Sequence, residues 1–361
     1  MNVRRVARTA ALAAVAVVLS IAVFIGGSVA YFKLSRASDF GRQERRLALL
    51  EDGDAVLLAG MANSPEALVA ESGGLDLPWN RTRVVATHNS YHLRPGALRS
   101  FILGIAKPAE PAKLAYSHRT LTEQLDSGVR SFELDVRLRA GRFEITHVPL
   151  VDDRTASPDL GLAFRELALW SARHPDHLPL VVLLELKDDW MVLDGKLEAF
   201  DGPALGRLSD LAASAFGDSL FGPGELPAPV DGTVKWPKLR ELAGTVMVVV
   251  HENDQFRGLL LEIYGPELAG SSLFTCAPPG SPDAAFAILN DPADPRIPEY
   301  LDRGIVVRTR ADADTAVSSA QAAAALTSGA QLVSTDYPPG GPAHKSGYWF
   351  SYSGNLAALR P

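Results

Sequence analysis

From residue 76 onward, short apolar runs alternate with helical patterns and turn residues, and this alternation constrains the fold more than any other feature of the chain. Continuous apolar runs are typical of strands buried on both faces, and strands that alternate with helices indicate a parallel sheet. The runs that predict strands span residues 83–87, 129–136, 143–148, 180–186, 245–252, 272–276, 304–309 and 330–335. Eight such units predict an α/β fold, a (β/α)₈ TIM barrel, with a doubly wound open sheet as the alternative.

The N-terminal region carries an uncharged stretch at residues 9–32, which Lys33 follows. A helix of about 24 residues is long enough to cross a hydrocarbon core of about 30 Å. An arginine cluster precedes the stretch and favours a cytoplasmic N-terminus. The stretch therefore predicts a transmembrane or signal helix, after which the chain lies outside the cytoplasm.

Two interpretations of this N-terminal region stay open. Small residues at 28–30 suit cleavage by a signal peptidase, which would make the protein secreted. The apolar run is longer than the usual signal core, which favours an uncleaved membrane anchor. We therefore divide the chain into a signal-anchor segment at 1–36, a connector at 37–75 and one barrel domain at 76–361.

Charge and cysteine content exclude some classes of function. Lys and Arg number 35 against 42 Asp and Glu, for a net charge of −7, and no long basic run follows the N-terminus. Nucleic acid is therefore not an expected partner. The single cysteine, Cys276, excludes an internal disulfide framework and a zinc site built from several cysteines.

Polar and ionisable residues stand at or near the ends of most predicted strands. They include His88, Asn89, Glu133, Asp135, His147, Glu185, His251, Arg308, Arg310 and Asp336. TIM barrels carry their active sites at the carboxyl ends of the strands. The pattern predicts that these side chains meet at one mouth of the barrel.

The acidic members of this group predict a metal site. Glu133 and Asp135 are two apart on a strand and face the same side, where their charges repel unless a cation or a proton lies between them. Glu185 adds a third carboxylate and Asn89 a neutral amide oxygen. An all-oxygen set with room for substrate favours Ca²⁺ over Mg²⁺ and over zinc. Pairing of Glu185 with Lys187 is the structural alternative.

The two strand-end histidines, His88 and His147, predict acid–base chemistry. Imidazole donates or accepts a proton near neutral pH. A cation, two histidines and an arginine together suit cleavage of a phosphodiester, because the cation neutralises charge on phosphorus and one histidine protonates the leaving oxygen.

Arg308 and Lys187 are the candidate substrate-binding residues. For Arg308, contact with the substrate phosphate or ring and structural pairing with Asp312 or Asp314 are both open. Asp336 is expected only to cap the final turn.

Five motifs carry a resemblance to a known family. They are ATHNSYH (86–92), QLDSGVRSFELDV (124–136), ITHVPL (145–150), VVRTRADADT (306–315) and GAQLVSTDYP (329–338). The first three resemble the catalytic X region of phosphatidylinositol-specific phospholipases C. The last two resemble the calcium-dependent bacterial branch of that superfamily. The resemblance covers residues from about 80 to 340, nearly the whole predicted barrel.

The resemblance implies a role for each matched residue. His88 matches the histidine that stabilises the pentacovalent phosphorus, and His147 matches the general acid that faces the diacylglycerol leaving group. The implied calcium ligands are Asn89, Glu133, Asp135 and Glu185. The implied reaction is attack of the inositol 2-hydroxyl on its own phosphate, which yields diacylglycerol and an inositol cyclic phosphate.

The expected substrate is phosphatidylinositol or a related inositol phospholipid at a membrane surface, since the chain lacks a basic cluster for polyphosphorylated head groups. Two other functions stay open. A glycerophosphodiester phosphodiesterase shares the barrel, the carboxylates and the histidines, although its His-Arg-Gly triplet is absent here. A non-catalytic, membrane-tethered module that binds inositol lipid is the other alternative.

Overall fold

The computed structural model describes residues 3–53, 64–313 and 315–360. The α-helices in these ranges are α1 (Val3–Asp52), α2 (Pro65–Glu71), α3 (Ala97–Ala106), α4 (Glu110–Lys113), α5 (Leu121–Asp126), α6 (Leu160–Arg173), α7 (Gly202–Phe216), α8 (Asp254–Tyr264), α9 (Ile297–Asp302) and α10 (Ser319–Thr327). The strands are β1 (Thr82–Thr87), β2 (Ser131–Arg139), β3 (Arg142–Ile145), β4 (Leu180–Leu186), β5 (Leu197–Glu198), β6 (Val246–Val250), β7 (Leu273–Thr275), β8 (Phe286–Ile288), β9 (Val306–Arg310), β10 (Leu332–Thr335) and β11 (Ala357–Leu359).

Eight of the strands form a parallel barrel in the order β7-β6-β4-β2-β1-β10-β9-β8. The two ends of this order meet at a single parallel bridge between Cys276 and Phe286, where the Ala277 amide donates to the Phe286 carbonyl at 3.1 Å. The sheet is therefore nearly closed, which confirms the predicted barrel and not the open-sheet alternative.

One strand assignment from the sequence was wrong, and one barrel strand was missed. The run at 143–148 is not a barrel strand, because β3 pairs antiparallel with the far end of β2 through a turn at Ala140 and Gly141. Both turn residues have positive φ, 49° and 73°, as expected of a tight hairpin turn with a right-handed twist. The missing barrel strand is β8, which is only three residues long and follows a loop rich in Pro and Gly.

Successive residues of the barrel strands pack into two different cores. In β4, Val181 and Leu183 join a cluster inside the barrel that also contains Val84, Ala86, Met247, Val249, Phe274, Val306 and Leu332. Val182 and Leu184 join a second cluster between the strands and helices α5 to α8. Burial on both faces explains why these strands read as continuous apolar runs.

Most helices begin at a residue that caps them. The side chain of each accepts a hydrogen bond from a backbone amide in the first turn, which satisfies a donor that the helix leaves unpaired. These residues are Ser64, Thr120, Asp159, Asp201, Asn253 and Ser318.

Helix α1 is continuous from the uncharged stretch into a segment that packs on the barrel. Its apolar part is exposed, and the helix is long and apolar enough to cross a membrane, as a signal sequence also is. From Phe32 onward one face is buried, including Gln43 and Leu50. The helix therefore passes through residue 36, where we placed the first boundary, while residues 54–63 of the connector lie outside the described residues. The division into three segments stays a prediction.

Candidate active site

The end of β1 and the following turn hold the first motif of the site. Asn89 adopts a left-handed backbone with φ 45°, a conformation that asparagine tolerates better than most residues. Ser90 fixes this turn to β2, because its hydroxyl accepts from the Glu133 amide at 2.8 Å and its own amide donates to the Glu133 carbonyl at 2.9 Å. The Asn89 amide nitrogen donates to the Tyr116 hydroxyl at 3.2 Å, which leaves its carbonyl oxygen for a ligand.

His88 lies between charged neighbours from three strands. Its Nδ1 is 2.8 Å from Asp336 Oδ1 and 2.9 Å from a guanidinium nitrogen of Arg310. Its Nε2 faces Glu133 Oε1 at 4.0 Å. Burial, followed by the positive charge of Arg310, lowers the pKa of His88 well below its usual value. His88 is therefore neutral, with Nε2 directed toward the carboxylates.

Three carboxylates converge beside His88. Arg308 donates to Glu133, and its charge lowers the pKa of Glu133 although burial opposes this shift. Asp135 is fully buried, and neither of its oxygens accepts a hydrogen bond in the described structure. Burial and then the charge of Glu185 raise the pKa of Asp135 to about 7.

Lys187 lies among these carboxylates. Its Nζ donates to Glu185 Oε1 at 2.5 Å and is 3.3 Å from Asp135 Oδ2. The pairing of Glu185 with Lys187, the structural alternative considered for the sequence, is thus present. Whether Lys187 also contacts substrate stays a prediction.

The donor set fits a hard cation. Oxygens of Glu133 and Glu185 and a ring nitrogen of His251 lie within 4.8 Å of one another. The buried carboxylate of Asp135 and the free carbonyl oxygen of Asn89 lie at the same end of the barrel. Oxygen donors that carry negative charge suit Ca²⁺, and a bound cation would remove the repulsion between Asp135 and Glu185.

His147 lies in the loop after β3 rather than at the end of a barrel strand. Its Nδ1 bonds Asp152 Oδ2 at 2.6 Å, and the second oxygen of Asp152 lies 3.0 Å from Nε2 of the buried His92. Burial lowers the pKa of His147, but the hydrogen bond with Asp152 and the charge of Asp135 outweigh it, so that the pKa is raised. Of the two candidate catalytic histidines, His147 is therefore the one that binds a proton more tightly.

One cavity joins these groups. Its lining includes both candidate histidines, three of the four candidate calcium ligands and Lys187, and helix α4 forms one wall. The residues discussed above that line the cavity are His88, Asn89, Asp135, His147, Glu185, Lys187, Arg310 and Asp336. Arg308 is not in this lining, since it is buried behind Glu133 and donates to Asn290. Its contact with substrate stays a prediction, and Asp314 lies outside the described residues.

Sequence reasoning placed Asp336 at the mouth of the barrel without a role in the chemistry, and it missed Asp152. Asp336 was expected only to cap a turn, but its carboxylate contacts His88. Asp152 was not considered at all, although two aspartates follow His147 within six residues. The signal was available, because a histidine that transfers protons usually needs a carboxylate to orient its other nitrogen.

Comparison with known proteins decides the family. A family model described as "Phosphoinositide phospholipase C, Ca2+-dependent" matches residues 77–144 and 136–360. The chain belongs to this family. Membership confirms the resemblance seen in the motifs, the phosphodiesterase class of enzyme and the dependence on calcium. The assignment of particular residues as calcium ligands stays a prediction.

Two solved structures of calcium-dependent phospholipases C are similar to this chain, and the first of them supports the fold. A calcium-dependent phosphoinositol-specific phospholipase C from Pseudomonas sp., in a myoinositol complex, is 18% identical, with a TM-score of 0.55 over 80% of this chain and 97% of that chain. A calcium-dependent enzyme from Streptomyces antibioticus is also 18% identical, with a TM-score of 0.49 over 72% of this chain and 94% of that chain. None of the curated protein sequences compared with the chain matches it.

Proposed function

We propose that this member of the phosphoinositide phospholipase C family cleaves phosphatidylinositol, or a related inositol phospholipid, to diacylglycerol and an inositol cyclic phosphate. The observation that carries the proposal is that one cavity holds two histidines whose pKa values are shifted in opposite directions. His88 has a lowered pKa and His147 a raised one, and both line the cavity that holds the carboxylates. Two groups with pKa values pushed apart are suited to act as base and acid.

His88 is the proposed base. In the tautomer whose Nδ1–H donates to Asp336, the Nε2 lone pair is free to take the proton of the attacking inositol hydroxyl. The resulting imidazolium lies where negative charge develops on the phosphate, which matches the stabilising role that the family resemblance implies for this residue. Arg310 disfavours the charged imidazole and so returns it to the neutral state.

His147 is the proposed acid. Asp152 holds one ring nitrogen, so the other is free to donate a proton to the diacylglycerol oxygen as the phosphorus–oxygen bond breaks. The proton taken by His88 and the proton given by His147 balance the transfer, and both histidines exchange protons with water before the next cycle.

Asn89, Glu133, Asp135 and Glu185 are the proposed ligands of Ca²⁺. When held by these residues, the ion would supply positive charge to offset the negative charge that develops on the phosphate. Asp135 supports this proposal because it is buried beside Glu185, whose charge raises the pKa of Asp135, and the Lys187 ammonium is 3.3 Å from one of its oxygens. We assign Arg308 to positioning Glu133, whose carboxylate it holds.

We further propose that α1 anchors the enzyme in a membrane, with the barrel on the extracytoplasmic side. The apolar part of the helix is exposed in the described structure, as expected of a segment that faces lipid. Cleavage after residue 30 would release the enzyme but keep the part of α1 that packs on the barrel.

Release of the head group from phosphatidylinositol vesicles tests the function. With calcium, the wild type should release inositol phosphate, and a chelator should stop it. His88→Ala and His147→Ala should each lower turnover by about 10²–10⁴-fold. A change below about twofold for both would contradict the mechanism. Cleavage of glycerophosphodiesters instead, or binding of lipid without any release, would support one of the two alternative functions.

A further inference from the structure

A second cavity lies between α1 and the barrel. Its volume is about 390 Å³, which is within the range of sites for small ligands. Its walls come from one side of α1, from the β2–β3 hairpin with the segment before β5, and from the loop around His147. We call it the α1 cavity. None of its described lining residues lines the active-site cavity, so a ligand bound there would be separate from the catalytic groups.

The positive charges in the lining of the α1 cavity outnumber the negative ones. Four cationic side chains line it with three carboxylates: Lys33, Arg36, Arg139 and Lys196 with Glu144, Asp153 and Asp194. Each carboxylate accepts a hydrogen bond from an arginine at 2.6–2.7 Å. Neither Lys33 nor Lys196 forms a salt bridge among the described residues, and both are exposed. The two ammonium groups are therefore available to an anion that enters the α1 cavity.

A buried hydroxyl in the same lining has no hydrogen-bond partner. Thr146 is 4% exposed, and its Oγ1 makes no hydrogen bond in the described structure. Buried polar atoms are almost always satisfied, so one that stays without a partner indicates a place for a ligand or a water. The Thr146 amide donates to the Asp135 carbonyl at 3.0 Å, which fixes the backbone and leaves the side chain to the α1 cavity. A hydroxyl can donate to an anionic oxygen, as an ammonium does.

The α1 cavity begins where the uncharged stretch of α1 ends. Lys33 is the first charged residue after this stretch, and Phe40 is the last residue of α1 in the lining. Between these two residues α1 advances about 10 Å, while the polar layer on each side of a bilayer is about 5–7 Å thick. In the proposed anchored form, the α1 cavity therefore lies at the level of the lipid head groups. This placement rests on the proposed anchor, whereas the charges and the hydroxyl of the cavity do not.

We propose that the α1 cavity binds a phosphate ester through the ammonium groups of Lys33 and Lys196 and the hydroxyl of Thr146. Lysine binds phosphate as a point charge, and hydrogen bonds to a charged acceptor are stronger than those between neutral groups. Two sources share this chemistry, the head group of an anionic phospholipid and a soluble phosphate. Phe40 and Leu150 also line the cavity and suit the apolar part of a lipid, so we expect the lipid to bind more tightly.

A ligand in the α1 cavity would contact the loop that carries Asp152, the partner of His147. Leu150 in this loop has a left-handed backbone with φ 69°, which is unfavourable for a residue with a branched side chain. Arg36 of α1 donates to the Asp153 carbonyl at 3.0 Å. Because a bound phosphate would add contacts between α1 and this loop, we expect the loop to open less often when the ligand is bound.

Titration calorimetry of the full chain in a maltoside detergent tests the binding. The probes are dihexanoyl phosphatidic acid and inorganic phosphate, with zwitterionic dihexanoyl phosphatidylcholine for comparison. A chelator is present throughout, so that calcium in the active site does not attract phosphate. Lys33→Gln with Lys196→Gln should weaken binding of phosphatidic acid at least about tenfold. Lys235→Gln with Lys345→Gln, at exposed lysines outside the α1 cavity, should leave the Kd within about twofold.

The hydroxyl of Thr146 is tested by a conservative pair of variants. Thr146→Val removes the hydroxyl and should weaken binding of phosphatidic acid, whereas Thr146→Ser keeps it and should bind as the wild type does. Hydrogen exchange is the second measurement. Phosphatidic acid should slow exchange of the amides at 148–154 in the wild type and in the variant with Lys235 and Lys345 replaced, but not in the variant with Lys33 and Lys196 replaced.

The two phosphate probes distinguish the sources of the ligand. Equal binding of inorganic phosphate and phosphatidic acid would identify a soluble phosphate as the ligand, and binding of phosphatidic acid alone would identify a lipid head group. Either result supports the proposal. Failure of both probes to bind, or equal affinity in the wild type and in Lys33→Gln with Lys196→Gln, would overturn it. Neither measurement needs turnover, so a protein that binds phosphatidic acid but releases no head group would contradict only the proposed function.

Discussion

Asp152 Oδ2 lies 2.6 Å from Nδ1 of His147. The carboxylate is buried, and His92 holds its other oxygen from the opposite side at 3.0 Å. These two histidines keep the pKa of Asp152 far below its usual value despite burial. This fixed carboxylate sets which nitrogen of His147 faces the cavity, and its hydrogen bond raises the pKa of that ring.

The first prediction concerns the pH profile of Asp152→Asn. Loss of the charge should lower the pKa of His147, and a general acid works only while it is protonated. The alkaline limb of kcat/KM should therefore move to lower pH, and kcat at pH 8 should fall by about 10–10²-fold. Asp153→Asn is the matched control, since its partner is Arg99. Identical alkaline limbs in the wild type and Asp152→Asn would contradict the assignment.

The second prediction concerns binding of calcium. Calcium should raise the Tm of the full chain in detergent, because a ligand at 100 times its Kd stabilises the folded state by about 2.7 kcal/mol. Asp135→Asn should lose most of this rise, since it removes one charged oxygen ligand. Glu252→Gln, just past the end of β6, should keep it. A rise of equal size in Asp135→Asn would exclude Asp135 as a ligand.

The third prediction concerns acid stability at His177, at the opposite end of β4. Burial lowers the pKa of His177 to about 4, and its nitrogens contact Ser171 at 2.7 Å and the Leu178 carbonyl at 2.6 Å. Below the ordinary histidine pKa of 6.5, His177 binds a proton in the unfolded chain but stays neutral in the folded chain. The free energy of unfolding therefore decreases as the pH falls from about 6.5 to 4. The full loss is about 3 kcal/mol.

Melting of the full chain in detergent between pH 7 and pH 4.5 checks this prediction. The wild type should lose more of its Tm than His177→Gln does over the same range. His344→Gln, in a surface loop, should follow the wild type. Equal slopes for the wild type and His177→Gln would show that His177 is not the group that titrates.

The fourth prediction concerns the part of α1 that packs on the barrel. Its residues hold the loop after His147: Asp39 pairs with Arg154 at 2.9 Å, and Arg36 donates to the Asp153 carbonyl at 3.0 Å. A chain that starts at residue 31 keeps these contacts and should cleave monomeric short-chain lipid at the wild-type rate. A chain that starts at residue 53 exposes a buried apolar face and should lose Tm and turnover together. Full turnover in the shorter chain would contradict this role.

The barrel could be predicted from the sequence because both faces of its strands are buried, so that each strand reads as an apolar run. The same alternation predicts much of the site. His88, Glu133, Asp135, Glu185, His251, Arg308, Arg310 and Asp336 continue the rows that face the barrel interior in β1, β2, β4, β6, β9 and β10. A side chain that continues such a row past the strand end faces the mouth.

Other features depend on contacts that the sequence does not display. Strand β8 is too short to be recognised in the sequence beside a turn-rich loop. Strand β3 has the apolar pattern of a barrel strand, but the two-residue turn before it makes it pair antiparallel with β2. Asp152 reaches His147 through a loop whose shape is set by α1, more than a hundred residues earlier in the chain. No local pattern predicts that contact.

The continuous helix α1 has a mechanical consequence. At 1.5 Å per residue its 50 residues extend about 75 Å, and the stretch that would span lipid passes without a break into the part that packs on the barrel. In the proposed anchored form, a straight helix of this kind would set the height of the cavity above the hydrocarbon. A thicker or thinner bilayer would then change the height of the cavity entrance relative to the lipid phosphates. The rate of hydrolysis would therefore depend on membrane thickness.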